Sequence, residues 1–174
     1  MLKTHIYELG FDRAATIDTA LIPFDATLAD LCAKNHCGSY GKNYTCPPHV
    51  GRMEELSQKV RQFSQALVFQ KVYPLEDSFD YEGMVQAQQD FNRLTAQLHT
   101  FCRQHLDHFL LLGAGACTRC AVCAVQTNEP CRFPREATAS LESYCIQVSS
   151  LAKLCQMAYL NGKDTVTYFG AIFL

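Results

Sequence analysis

No apolar run in this chain approaches the ~20 residues that a helix needs to cross a bilayer. The opening Met1-Leu2-Lys3-Thr4-His5-Ile6-Tyr7-Glu8 lacks the unbroken apolar stretch of a secretory signal, so the expected location is the cytoplasm. Charge of one sign is missing too. The formal net charge is −2, which makes no general electrostatic case for nucleic acid or for an anionic membrane surface. There is no P-loop, no G-x-G-x-x-G and no G-x-S-x-G. No repeat or linker divides the 174 residues, so a single domain over 1–174 is expected. With 48% hydrophobic residues the chain is not disordered, and its length supports a real core.

Cysteine is what the chain has in abundance, with ten in all. Without an export signal, disulfide staples are a poor explanation, because reducing compartments rarely keep them. Metal binding or redox chemistry is the better one. The cysteines also cluster. Cys117-Thr-Arg-Cys120-Ala-Val-Cys123 is a C-x2-C-x2-C run, and Cys131 follows it. Three thiols within seven residues suit a shared inorganic centre better than three separate disulfides, each needing wide and specific geometry.

Cys117, Cys120, Cys123 and Cys131 are therefore the first candidate ligand set. Their spacing follows the ligand logic of ferredoxin-type iron–sulfur sites. Such a cluster needs soft anionic donors, and thiolate is the common side chain that fits. Gly113 and Gly115 would permit close backbone approach just before the run. The bacterial ferredoxin pattern places three residues before its last cysteine and a proline after it. Here seven residues separate Cys123 from Cys131, and Pro134 comes three positions later. A tetrahedral zinc knot and reduced, unliganded thiols are the alternatives. Zinc more often uses paired C-x2-C arms set further apart.

Cys32, Cys37 and Cys46 form a second constellation, in a segment rich in Gly, Ser and Asn that ends at Pro47-Pro48. With His36 or His49 nearby, these thiols could hold a second cluster with one unusual or open ligand position. The alternative is that they supplement the first site or are simply buried. Cys102, Cys145 and Cys155 read as packing residues, since buried free cysteine behaves as a small hydrophobe. His5, His99, His105 and His108 show no ligand pairing. Arg119, Arg132 and Arg135 flank the cysteine run. They could tune a cluster's potential or receive an acidic partner, and surface solubility explains them equally well.

The apolar pattern predicts an α+β (or α/β) fold with a small mixed sheet and helices on one or both faces. Ile6 and Tyr7 suggest an edge strand. A brief helix is expected at 25–33 and another at 51–63, where Met53, Leu56, Val60 and Phe63 share a face. Residues 66–73 and 109–112 read as strands joined by a long helix near 81–106. That unit is a β-α-β crossover. The long helix carries Met84, Ala87, Phe91, Leu94, Leu98 and Phe101 on its apolar stripe. A helix over most of 140–160, N-capped by Ser140, and a terminal strand at 166–173 complete the expectation.

Several pieces together carry a resemblance. They are Cys37-x2-Tyr40-Gly41-Lys42-Asn43 with Cys46-Pro47-Pro48, then Gly113-x-Gly115-x-Cys117-x2-Cys120-x2-Cys123, then Cys131-Arg132-x-Pro134, and last Ser140-Leu141-Glu142-x-Tyr144-x-Ile146-x-Val148. In this order they resemble a family of uncharacterised prokaryotic proteins, described as predicted cysteine-rich metal-binding proteins with a domain of unknown function. The resemblance implies a cytoplasmic metalloprotein of iron–sulfur type, common in anaerobes, and supplies no reaction. Cys145 stands where the family pattern usually has glycine, which leaves open a part for it in the metal chemistry. Leu141 stands where methionine is usual, a volume-conserving swap.

The leading functional expectation is one or two iron–sulfur clusters, 4Fe–4S in type, serving electron transfer or redox sensing with a redox partner protein. A cluster-dependent enzyme with an open iron site, acting in a pocket between loops 37–49 and 113–131, is the second. A zinc-stabilised interaction protein is the third.

Overall fold

The structure, a computed structural model, describes residues 1–174. Its centre is a five-stranded mixed sheet in the order β1-β2-β5-β3-β4. The strands are β1 (Arg13–Asp18), β2 (Gln65–Pro74), β3 (Leu110–Gly113), β4 (Ala139–Ser140) and β5 (Thr165–Phe173). β5 pairs antiparallel with both β2 and β3. β2 and β3 therefore run in the same direction, as the crossover expectation requires, but β5 lies between them. β3 and β4 form the one parallel pair.

Helices cover both faces. α1 (Leu2–Glu8) and α4 (Tyr81–His105) pack on one, and α3 (Met53–Val60) and α5 (Val148–Leu154) on the other, with α2 (Thr27–Ala33) at the margin. Strand alternation builds the two cores from adjacent residues. Leu67, Phe69, Leu111 and Ile172 meet Ile6, Phe91, Leu94 and Leu98 on the α4 side. Ala66, Val68, Leu112, Ala171 and Phe173 meet Leu56, Val60, Ile146 and Leu151 on the other. The sequence stripe of α4 is buried at Ala87, Phe91, Leu94 and Leu98, while Met84 and Phe101 are half-buried. No helix is long and apolar enough to cross a membrane.

Three expectations need correction. The segment around Ile6 is helical, not an edge strand. Leu2, Ile6 and Leu9 recur at four and three, a helical face that packs on the α4 side of the sheet. The edge strand is β1, whose short Arg-Ala-Ala-Thr-Ile-Asp alternation is too weak to stand out without its partner β2. The helix expected over 140–160 shrinks to Val148–Leu154. Cys145 and Gln156 adopt left-handed backbone, with φ of 57° and 55°, and a right-handed helix cannot run through either. Ser140 ends β4 instead, and its hydroxyl accepts the Ser143 N–H at 3.0 Å to start a 3-10 turn.

At Gly170 the sheet leaves no room for a side chain. A Cβ there would run into the Phe69 ring and lie 2.8 Å from the Leu112 carbonyl oxygen, and backbone cannot step aside as a flexible side chain can. Gly170→Ala is expected to cost about 1–3 kcal/mol as overpacking, read as a lowered urea midpoint at unchanged slope.

Candidate metal centre

β3 and β4 are parallel neighbours, yet residues 114–138 connect them without a helix beyond the 3-10 turn Ala124–Thr127. Connections this long without regular structure are uncommon in compact domains. Ala124 is the one fully buried residue within it. The loop thus has almost no apolar core of its own, and it carries all four cysteines of the first candidate set.

Polar contacts hold it to the loop after α2. Asn43 Nδ2 donates to the Cys117 carbonyl at 2.9 Å, and the Cys117 N–H donates to Thr45 Oγ1 at 3.0 Å. Asn43 Oδ1 in turn accepts from the Thr45 amide and hydroxyl, at 3.1 and 3.0 Å. Asn43 and Thr45 are both buried, so both backbone groups of Cys117 are clamped by a small closed network. Further along, Tyr44 Oη donates to the Glu129 carbonyl at 2.7 Å and Gln126 Nε2 to the Lys42 carbonyl at 3.1 Å. The two cysteine loops therefore meet in space, which spacing along the chain cannot show.

Cys117, Cys120, Cys123 and Cys131 line one tight cavity of about 20 Å³. Asn43, Thr45 and Phe133 supply further wall, and Arg119 and Arg132 border it. The donor set is all sulfur, because no carboxylate or imidazole lines this space. That suits a soft metal or an iron–sulfur core. No three Cys, His, Asp or Glu side chains converge closely enough to hold a single ion. The thiols stand apart around the cavity wall. Arg132 lies against the Cys120 sulfur, a contact that raises the guanidinium pKa, and it also reaches the Val122 carbonyl and Glu129. Arg119 turns outward to Glu136, at 3.2 Å. Gly115 has φ +74°, a backbone state that suits glycine, whereas Gly113 gives room to the Thr95 and Thr138 methyls of neighbouring elements.

The second group is more dispersed. Cys32 is half-buried on α2, Cys37 exposed and Cys46 buried. Burial, then the neighbouring Cys37 and Glu142, push the Cys32 thiol up. Burial is also the main cause that pushes Cys46 up to about 11, with Cys37, Cys32 and Cys117 adding to it against a bond from Thr45. Cys46 thus lies within electrostatic reach of both groups. His49 is directed elsewhere, toward the Gly41 carbonyl at 3.3 Å and the edge of Tyr44.

Cys145 belongs to this neighbourhood, not to a helix face. Its carbonyl accepts the Asp25 N–H at 2.8 Å, which ties the 3-10 turn to the entry of α2. Burial and then Cys32 raise its thiol. The departure from glycine was the available sequence signal, and the left-handed φ explains why glycine suits this position. Cys102 and Cys155 sit in the apolar cores, and burial pushes their thiols up to about 12 and about 11. The histidines outside the loops pack on aromatic rings: His5 and His105 on Phe101, His99 on Phe109, His108 on Phe63.

A family profile described as predicted metal-binding protein (DUF2284) matches residues 15–174. The chain belongs to this family. The match takes in both cysteine loops and every strand except the first two residues of β1. No curated protein and no solved structure matches the chain. Membership of DUF2284 carries metal binding as the family's predicted property, with the metal unspecified.

Removing the Asn43 side chain leaves the Cys117 carbonyl without its donor and the Thr45 N–H and O–H without their acceptor. Asn43→Ala is expected to cost about 1–3 kcal/mol and to speed amide exchange at Cys117, measured by hydrogen–deuterium exchange on urea-characterised protein. His99 gives a pH signature nearby. Burial, then Arg119 and Arg103, hold its pKa below the usual 6.5 against the opposing Glu136. The folded chain takes up this proton less readily than the unfolded chain. Stability is therefore full above about pH 6.5 and falls as pH drops toward the folded value. Between pH 7.5 and 5.5, wild type should lose more stability than His99→Phe, by at most about 1.4 kcal/mol per pH unit for one proton.

Proposed function

We propose that this protein holds an iron–sulfur cluster in the four-thiol cavity and acts as an electron carrier or redox sensor. One observation carries the reading. Cys117, Cys120, Cys123 and Cys131 surround a common space inside a loop that buries almost no apolar side chain. A loop of this kind needs a substitute for a hydrophobic core, and a metal centre is one, because its binding free energy becomes folding free energy. Thiols spaced around a wall suit a polynuclear core, whose ligands attach at separate corners. A lone tetrahedral ion would need them drawn together.

The chain's own residues would set the properties of such a centre. Arg132 beside Cys120 places a cation and N–H donors at a ligand sulfur, which raises a cluster's potential. The N–H and C=O of Cys117 are already committed to Thr45 and Asn43, so this ligand is held rigidly. Cys32, Cys37 and Cys46, with Cys145 as a fourth thiol, are the proposed second set. A second cluster bound there would neighbour the first, because Thr45, the residue before Cys46, is hydrogen-bonded to Cys117.

Protein purified without oxygen is expected to contain iron and acid-labile sulfide in equal amounts and to show a broad visible charge-transfer band. Cys120→Ala should lose most of that absorption. Cys102→Ala, in the apolar core against α4, should keep it. Zinc without iron under the same conditions, or an unchanged spectrum in Cys120→Ala, would overturn the reading.

A further inference from the structure

The loop that joins β2 to α4 holds two aromatic rings out in water. Phe79 is 91% exposed and Tyr81 75%. Asp80 caps α4 between them, its carboxylate accepting the Gly83 N–H at 2.8 Å. Phe79 thus stands just before the cap, where an apolar residue commonly staples to the fourth helical residue. That residue is Met84, yet Phe79 keeps nine-tenths of its surface in solvent, so no staple forms. The loop itself is well tied. Asp77 accepts the Phe79 N–H at 2.7 Å, and the Leu75 N–H and the Ser78 hydroxyl both donate to Asp164, at 2.8 and 2.9 Å. Rings held ready on an ordered loop lose little entropy when something covers them.

Charge narrows what that is. Between Lys71 and Arg93 the chain carries five carboxylates and no cation. Asp90 is paired with Arg93, but Glu76, Asp77, Asp80 and Glu82 have no cation within ion-pair distance. Beside them an open groove of about 590 Å³ runs between the end of β2 and the first turns of α4. Tyr73, Leu75, Glu76, Asp80 and Asp90 line it, and no basic residue does.

Aromatic rings set among unpaired carboxylates match the centre and rim of a protein–protein interface. A bare cation would leave the rings uncovered, and an anionic membrane would be repelled by the carboxylates. We infer that Phe79, Tyr81 and the groove beside them form a docking surface for another protein, one that presents lysine or arginine next to apolar side chains. The surface adjoins the metal loop along α4. Gln88, on the same helix between groove residues Ala87 and Asp90, fills the space that a Cβ on Gly115 would need, two residues before Cys117. Only the partner's part in redox chemistry rests on the cluster reading. Docking itself needs no metal.

The test uses the full chain and a fluorescein-labelled ten-residue peptide of lysine and leucine, with a glutamate and leucine peptide as control, followed by fluorescence anisotropy. The lysine peptide is expected to bind saturably and to weaken as salt rises, and the control peptide not to bind. Phe79→Ser should weaken binding about tenfold, and Glu76→Gln with Glu82→Gln should weaken it and flatten its salt dependence. These side chains are exposed, so the urea midpoint should stay where it is. Leu21→Ser, an exposed apolar site on another element, should bind as wild type does. No saturable binding, or unchanged affinity in Phe79→Ser, would overturn the inference. So would a dimer in sedimentation that Phe79→Ser dissolves, because the occupant would then be a second copy of this chain. Zinc in place of a cluster would leave the anisotropy result standing, so the two proposals fail separately.

Discussion

The clamp on Cys117 is the interaction from which the functional end of the molecule is built. A loop with one buried apolar residue cannot order itself by hydrophobic burial. Asn43 and Thr45 take both backbone groups of its first cysteine, and Tyr44 and Gln126 tie the loops together further along. These bonds also bring the second cysteine group up to the first, since the clamping residues lie only one and three positions before Cys46. The clamp itself leans on the sheet, because β3 delivers the loop from the centre of the fold and β4 receives it beside the same strand.

The sheet is stiff where the loop leaves it. β5 fills the gap between β2 and β3 and brings Ala171 and Ile172 against Leu112 and Leu111. Adjacent residues on each strand serve opposite cores, so neither face can shift without moving the other. A metal centre at such an edge would have a rigid platform beneath it and a solvent-facing rim of arginines and glutamates above.

Much of this was legible in the chain. The C-x2-C-x2-C run with Cys131 announced thiols that line one cavity, and the long apolar stripe announced α4 to within a residue. Short elements were harder. Three apolar residues in α1 and an alternation of six in β1 are too few to decide between periods until packing supplies a partner. The 140–160 region has helical spacing throughout. The left-handed residues at Cys145 and Gln156 interrupt it, and neither is a glycine that would have flagged the break.

By itself the sequence determined the α+β class, the central crossover and which four thiols share one loop, because periodicity and thiol spacing are local properties of the chain. Only the tertiary structure decided that the two cysteine loops touch and that the turn at Cys145 is tied to the entry of α2, the helix that carries Cys32. Those relations join residues up to more than a hundred positions apart. They follow from which strand inserts where and which buried polar group finds a partner, and no local pattern records either.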